Sequence, residues 1–249
     1  MSAYTSSQQF IDGSLYSIAY IPEGGSETCL AACMPLGDER RHVSKTLNDT
    51  LKRAACSGIA GAMYDYPGMG ESTGNTADFT LAAALEAGEQ FLEMLKKEHG
   101  IKEYIMLGIR SGCFTAVQLA GRTQSRCILW QPFNSGAAFL RELKLKEKIR
   151  GELTGGAEKG EYFLNGGQIS ETLLQELEAC TGLSGQMPDA SRLCIIQISK
   201  HQAPAGPYKD LPPEAVFFAV NVPPFWNPHE GWDTSALAEH TVGIISKDE

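Results

Sequence analysis

The sequence predicts an α/β fold in which helices cover both faces of a mostly parallel, twisted sheet. Apolar, strand-like runs alternate with helical periodicities along most of the 249 residues, and this alternation favours parallel strands packed between helices. One such run, 104–109, passes through a short glycine-containing turn directly into a helical pattern,. The alternation breaks in the middle of the chain and then resumes, which indicates one core with an inserted cap.

The N-terminal half is predicted to begin with antiparallel strands and to continue with strand–helix units. A turn at 23–26 separates the first two strands,. Apolar residues at every fourth position predict the first helix. They are Val43, Leu47, Leu51 and Ala55. The predicted elements are strands 15–21 and 28–34, that helix, a strand at 59–66 and a helix at 79–98.

The C-terminal half continues the pattern on either side of the insertion. Its predicted strands are 104–109, 127–131, 193–199 and 215–222, and its last helix is 234–245. Between 134 and 189, a charged helix at 139–150, a Gly-rich acidic stretch and an amphipathic helix near 169–180 replace the alternation. We predict a core of residues 1–133 and 190–249, and a cap of 134–189 above the strand ends.

Composition narrows the function classes. The net charge of −9 leaves no excess of Lys and Arg to neutralise phosphates, so we predict no nucleic-acid partner,. No apolar run approaches the length of a membrane span, and the N-terminus lacks the features of a signal peptide,. The seven cysteines include no C-x-x-C pair, which argues against zinc or redox chemistry,. We predict a cytoplasmic protein with no metal and no cofactor.

The turn after strand 104–109 has the pattern of a nucleophile elbow with the wrong central residue. Gly108 and Gly112 flank it four residues apart, as in G-x-S-x-G, the strand–turn–helix motif that holds a serine above a sheet,. Arg110 stands at the centre. A guanidinium has five donors and no available lone pair, so it cannot attack a carbonyl.

Several segments resemble the α/β-hydrolase superfamily and, more narrowly, the second type of hydrolase associated with bacterial exosortase A systems. The matching pieces are 63–72 (MYDYPGMGES), 107–112 (LGIRSG), 128–132 (ILWQP), and 222–226 (VPPFW) with Glu230 close behind. That family is also similar to this chain in carrying arginine at the elbow. The resemblance implies the α/β-hydrolase fold, and a hydrolase of a small ester or thioester in a setting of exopolysaccharide production and protein sorting.

Hydrolysis in this fold needs a nucleophile, an acid and a histidine in that chain order. The residues after the strands that end near Gln131 and Ser199 include no carboxylate, and Asp210 lies farther along. His229 follows the last strand, and it is the candidate base; an exposed loop histidine with no catalytic role is the alternative. Two of the three positions are therefore unfilled.

Residues beside the elbow are candidates for other roles. Ser111 is predicted as a turn or capping residue whose backbone N–H is an oxyanion donor, with its hydroxyl pointing away from the site. The loop at Leu36 is the candidate second oxyanion donor. Cys113 stands in the first helical turn, where the dipole favours a thiolate, but burial against the sheet is its predicted fate.

Arg110 needs a negative partner if it lies under a cap, because burying a lone guanidinium is costly. Glu230, Asp38 and Glu39 are the candidate side chains, and a ligand anion is the alternative. The basic run at 141–150 is read as an ordinary solvated helix face, because Glu142 and Glu147 are interspersed in it, rather than as an attractor of anionic substrate,.

These observations leave two hypotheses. In the first, the chain hydrolyses a small ester or thioester: His229 is the base acting on water, Ser111 and Leu36 stabilise the oxyanion, and Arg110 holds an anionic substrate. In the second, it is a non-catalytic pseudo-hydrolase, an anion-binding or scaffold protein in which Arg110 grips an anion or locks the site. A protein partner is compatible with either hypothesis.

Overall fold

The computed structural model describes residues 4–154, 162–164, 167–180, 189–228 and 232–246. Its strands are β1 (Tyr4–Ile11), β2 (Leu15–Pro22), β3 (Thr28–Cys33), β4 (Ala60–Tyr64), β5 (Glu103–Ile109), β6 (Arg126–Trp130), β7 (Phe163–Leu164), β8 (Gly167–Gln168), β9 (Leu193–Ile198) and β10 (Val216–Val220). Its α-helices are α1 (Glu39–Cys56), α2 (Leu81–His99), α3 (Cys113–Thr123), α4 (Gly136–Thr154), α5 (Glu171–Ala179) and α6 (Ser235–Ile245).

Within the described ranges, eight strands form one sheet in the order β1-β2-β4-β3-β5-β6-β9-β10. β2 pairs antiparallel with both β1 and β4, and every later pairing is parallel. The parallel strands other than the edge strand β10 are apolar and mostly buried on both sides, as helix-covered strands must be,. This is the α/β-hydrolase fold, as predicted.

The helix boundaries follow local capping chemistry. α2 begins after Thr80, whose hydroxyl accepts a hydrogen bond from the Ala83 N–H at 3.0 Å,. It ends at Gly100, whose φ of +71° supplies the left-handed residue that commonly terminates a helix,. The predicted helix at 79–98 therefore differs from α2 by one or two residues at each end.

The described residues between β6 and β9 lie outside the main sheet. In the part of this segment that the structure describes, α4 and α5 pack together, and β7 and β8 form a separate two-stranded sheet. The assignment of 134–189 as a cap domain stays a prediction. None of the helices among the described residues is sufficiently long and apolar to cross a membrane.

Candidate functional site at the end of strand β5

The central strand β5 ends in a sharply bent turn. Arg110 has a φ of +52°, in the left-handed region that non-glycine residues avoid,. A Cβ on Gly108 would lie 2.7 Å from the Cα of Cys113, and one on Gly112 would lie 2.4 Å from the Cys33 carbonyl oxygen. The two glycines therefore let the turn pack tightly against α3 and β3. This is the backbone of a nucleophile elbow, with arginine at its tip.

The Arg110 side chain is buried and held by two carboxylates. Its Nε donates to Glu39 Oε2 at 3.2 Å, and its Nη2 donates to Glu39 Oε1 at 3.2 Å, which makes a two-point pair,. Nη2 also donates to Glu142 Oε1 at 2.5 Å. Arg110 is only 5% exposed, so these bonds replace most of the water that the guanidinium would otherwise bind.

Lys146 completes a balanced cluster of charges. Its Nζ lies 2.7 Å from Glu39 Oε1 and 3.0 Å from Glu142 Oε1, so two cations face two carboxylates. Burial would lower the pKa of Arg110, but Glu39 and then Glu142 outweigh that effect and raise it above its ordinary value,. Burial would raise the pKa of Glu142, but Arg110 and Lys146 lower it. Arg110 and Glu142 are therefore both charged at neutral pH.

Two aromatic rings enclose the same guanidinium. Its Cζ lies 4.3 Å from the centre of the Phe133 ring and 4.7 Å from that of Trp226, within the range of a cation–π contact,. Phe133 follows β6, and Trp226 follows β10. The loops after two other strands of the sheet therefore converge on the tip of the elbow.

Ser111 holds the elbow to the neighbouring loop. Its Oγ is buried and accepts a hydrogen bond from the Leu36 N–H at 2.9 Å. This agrees with the prediction of a turn role, although the bond reaches across to the loop after β3 instead of capping α3. Because an amide has one hydrogen, the Leu36 N–H is used by Ser111 in this arrangement. The oxyanion roles of Leu36 and Ser111 stay predictions.

The thiol beside the elbow is not activated. Cys113 is fully buried, and burial raises its pKa well above the ordinary value, with the nearby Cys127 and Cys33 adding to the effect. The dipole of α3 and the charge of Arg110 do not offset this burial. Cys113 therefore stays a protonated thiol packed in the core, as predicted.

The positions for a triad acid are filled by other side chains. Gln131, just after β6, has a φ of +45°, and its Oε1 accepts a hydrogen bond from the Ile198 N–H at 2.7 Å, which ties β6 to β9. Asp210 is exposed. Tyr208 is buried instead, and its hydroxyl donates to the Pro132 carbonyl oxygen at 2.6 Å. No carboxylate among the described residues follows β6 or β9 directly.

The structure bears on two further predictions, the partner of Arg110 and the solvated face of α4. Among the three side chains considered as partners of Arg110, Glu39 makes the bonds described above. His229 and Glu230 lie outside the described residues, so their roles as base and partner stay predictions. The prediction of a solvated face holds only in part: the Glu142 side chain is 33% exposed and bonds to Arg110, and the Nζ of Lys146, whose side chain is 45% exposed, reaches Glu39. Both side chains lie on the side of α4 that meets the elbow.

Asp65, which was predicted to shape a turn, and a small cavity are further features of this end of the sheet. Asp65 shapes the loop after β4: it accepts from the Glu71 N–H at 2.9 Å and from the Arg40 Nε at 2.9 Å. A cavity of about 110 Å³ borders the charge cluster. It is lined by Leu36, Gly37, Asp38, Glu39, Phe139, Glu142, Leu143, Lys146, Glu147 and Leu164. Across the described ranges, no group of three or more His, Cys, Asp and Glu side chains is arranged to hold a metal.

Comparison with solved structures supports the fold. Est1E from Butyrivibrio proteoclasticus, solved with ferulic acid bound, is similar over 96% of this chain and 97% of its own, with a TM-score of 0.62 and 15% identity. DcsB, solved in complex with its substrate analogue, is similar over 98% of this chain and 97% of its own, with a TM-score of 0.61 and 13% identity. No protein-family model and no curated protein matches the chain. At these identities the likeness establishes the fold alone.

Proposed function

We propose that this chain is a non-catalytic member of the α/β-hydrolase fold, a binding or scaffold protein in which Arg110 holds the cap helix α4 closed over the elbow. The observation that carries the proposal is the two-point pair of Arg110 with Glu39 and its further bond to Glu142. The elbow keeps its strained backbone, but the residue that it presents cannot act as a nucleophile.

The surroundings of the elbow support the same conclusion. The Ser111 hydroxyl accepts from the Leu36 N–H, and the Cys113 thiol is buried with a raised pKa. Both side chains that stand beside the missing nucleophile therefore have structural roles. In the closed arrangement, an anion reaches Arg110 only if it takes the place of Glu142, which is the less buried of the two carboxylates.

The second candidate function is hydrolysis of a small ester or thioester. It is favoured by the likeness over almost the whole chain to Est1E, which was solved with ferulic acid bound, and by the cavity beside Leu36 and Glu39. It requires His229 to activate water, Ser111 and Leu36 to stabilise the oxyanion, and Arg110 to exchange Glu142 for an anionic substrate. The resemblance of the sequence to exosortase-associated hydrolases adds exopolysaccharide production to this proposal, and the composition of the chain adds a cytoplasmic location.

A panel of short-chain nitrophenyl esters and thioesters tests the two functions. Wild type, His229→Ala, Arg110→Ala and Arg110→Ser are compared, with Arg122→Ala as the matched control because Arg122 lies in an exposed pair elsewhere. We expect background rates throughout, including Arg110→Ser, since a restored serine still lacks a triad acid. Turnover by wild type that falls at least tenfold in His229→Ala, the loss typical of a missing general base, would contradict the non-catalytic proposal and support the hydrolase.

A further inference from the structure

The outward side of α4 has a composition unlike that of its inward sides. Phe139, Leu140 and Leu143 are buried, and Glu142 and Lys146 meet the elbow. Of the remaining residues from 139 to 149, Glu147 is half-buried and five are exposed. They are Arg141, Lys144, Leu145, Lys148 and Ile149, which together we call the outward arc. Leu145 is 57% exposed and Ile149 is 50% exposed.

Helical geometry makes the outward arc one continuous surface. At about 100° per residue, its five side chains fall within roughly 140° of the helix circumference. Leu145 and Ile149 are four residues apart and therefore adjacent on the helix surface. The three basic residues lie beside them. Glu147 lies outside the arc, and Glu142, about 20° beyond Ile149 at its edge, bonds to Arg110.

The outward arc differs from the rest of the molecule in its charge and in its exposed apolar side chains. The chain has a net charge of −9, yet the arc carries three positive charges. Among the described residues, the other large apolar side chains with comparable exposure are Phe10 and Val216, which lie on β1 and β10 at the two edges of the sheet. On α4, two exposed aliphatic side chains therefore lie next to each other and next to three positive charges.

We propose that the outward arc docks α4 in the plane of an anionic lipid surface. Helices that lie in a membrane interface combine Lys and Arg with aliphatic side chains that enter the acyl boundary. Anionic lipids attract each such cation. Protein interfaces are instead depleted of Lys and enriched in aromatic residues at their centres, and the arc has two lysines and no aromatic residue,.

The composition of the arc also argues against a second copy of the chain as its partner, and it indicates weak binding to the lipid surface. A symmetric dimer through the arc would bring three cations of one protomer against the same three of the other. With only two inserted aliphatic side chains, attachment is peripheral and reversible. The bilayer would lie against the arc, whose centre is about 110° around α4 from the side that carries Glu142 and Lys146, which leaves the charge cluster intact.

Vesicle flotation tests the proposal with the full chain. Vesicles of phosphatidylcholine alone are compared with vesicles that also contain phosphatidylglycerol. The two test variants are Leu145→Gln/Ile149→Gln and Lys144→Gln/Lys148→Gln. Lys96→Gln/Lys97→Gln is the matched charge control, because both lysines are exposed on α2, and Phe10→Gln is the matched apolar control. All substituted side chains are exposed, and circular dichroism checks that each variant is folded.

We expect wild type to bind only the anionic vesicles and to bind less as salt is raised. Each test variant should lose about tenfold or more in partition coefficient, whereas the two controls stay within about twofold of wild type. Absence of wild-type binding, or an equal loss in Lys96→Gln/Lys97→Gln, would overturn the proposal. Concentration-dependent self-association that disappears in Leu145→Gln/Ile149→Gln would also overturn it and assign the arc to a contact between copies.

Discussion

Two arginine–carboxylate pairs at the two ends of one short segment differ in burial and in distance, and the two differences run in opposite directions. Arg110 precedes α3, and its Nη2 lies 3.2 Å from Glu39, with both side chains 7% exposed. Arg122 lies in the last turn of α3, and its Nη1 is 2.5 Å from Glu89, with both side chains about half exposed. The shorter contact is the one with free access to water.

The two pairs have different consequences for the fold. Water screens the Arg122 pair, and either side chain can be solvated if its partner is lost. Arg110 and Glu39 are both buried, so water cannot solvate either charge if the other is removed,. The elbow arginine therefore requires Glu39 at the start of α1, and it also pairs with Glu142 of α4, which Lys146 contacts in turn.

Replacing Arg110 should have the largest effect on stability. Arg110→Met keeps a long side chain and a Cβ at the strained position, but it leaves buried Glu39 with only Lys146 as a partner. We expect the free energy of unfolding to fall by about 3 kcal/mol, which corresponds to a decrease in Tm of roughly 6–12 °C for a chain of this size. Urea and thermal denaturation measure both quantities.

The double variant Arg110→Met/Glu39→Leu controls for lost packing. It removes the uncompensated carboxylate, so we expect it to recover most of the stability that Arg110→Met loses. If Arg110→Met lowers the free energy of unfolding no more than loss of the exposed Arg122–Glu89 pair does, then burial does not make the two pairs differ in stability.

Glu142 should have an intermediate effect that depends on pH. Its carboxyl has a folded-state pKa below the ordinary value of 4.5, because Arg110 and Lys146 overcome the opposing effect of burial. A carboxyl of this kind stabilises the fold above its unfolded pKa, and the contribution is lost as the pH falls through the lower, folded pKa. We expect Glu142→Gln to cost about 1 kcal/mol at neutral pH and progressively less as the pH falls below about 4.

Urea denaturation of wild type and Glu142→Gln over a pH series measures this difference. Glu89→Gln, in the exposed pair, is the control and should differ little from wild type at any pH. A cost of Glu142→Gln that does not change with pH would mean that the carboxylate charge is not what holds α4 to the elbow.

The sequence predicted the core strands and helices because each carries a strong local signal. The eight-residue β1 was missed, since its Ser- and Gln-rich sequence hides the alternation that marks a strand,. The β7–β8 hairpin was also missed, because strands of two residues are too short to show a period.

The candidate site was predictable as far as Arg110, with Glu39 as one of three candidate partners. The elbow follows from the spacing of two glycines, but the sequence alone did not separate Glu39 from Asp38 and Glu230. Glu142 and Lys146 show only the i, i+4 spacing of an ordinary surface pair,. Which side of α4 faces the core depends on how the helix rests on the sheet, and that contact is made between residues far apart in sequence.

The smallest effect on stability is expected for Arg122→Ala, and this variant tests the comparison of the Arg110 and Arg122 pairs most directly. Arg122→Ala breaks a contact that is shorter than either contact between Arg110 and Glu39. Because both partners can be hydrated, we expect the free energy of unfolding to change by less than about 0.5 kcal/mol, and the change to vanish at high salt. Urea denaturation at low and high salt measures it. A loss comparable to that of Arg110→Met would mean that the geometry of the pair, and not its isolation from water, sets the stability that an arginine contributes to this fold.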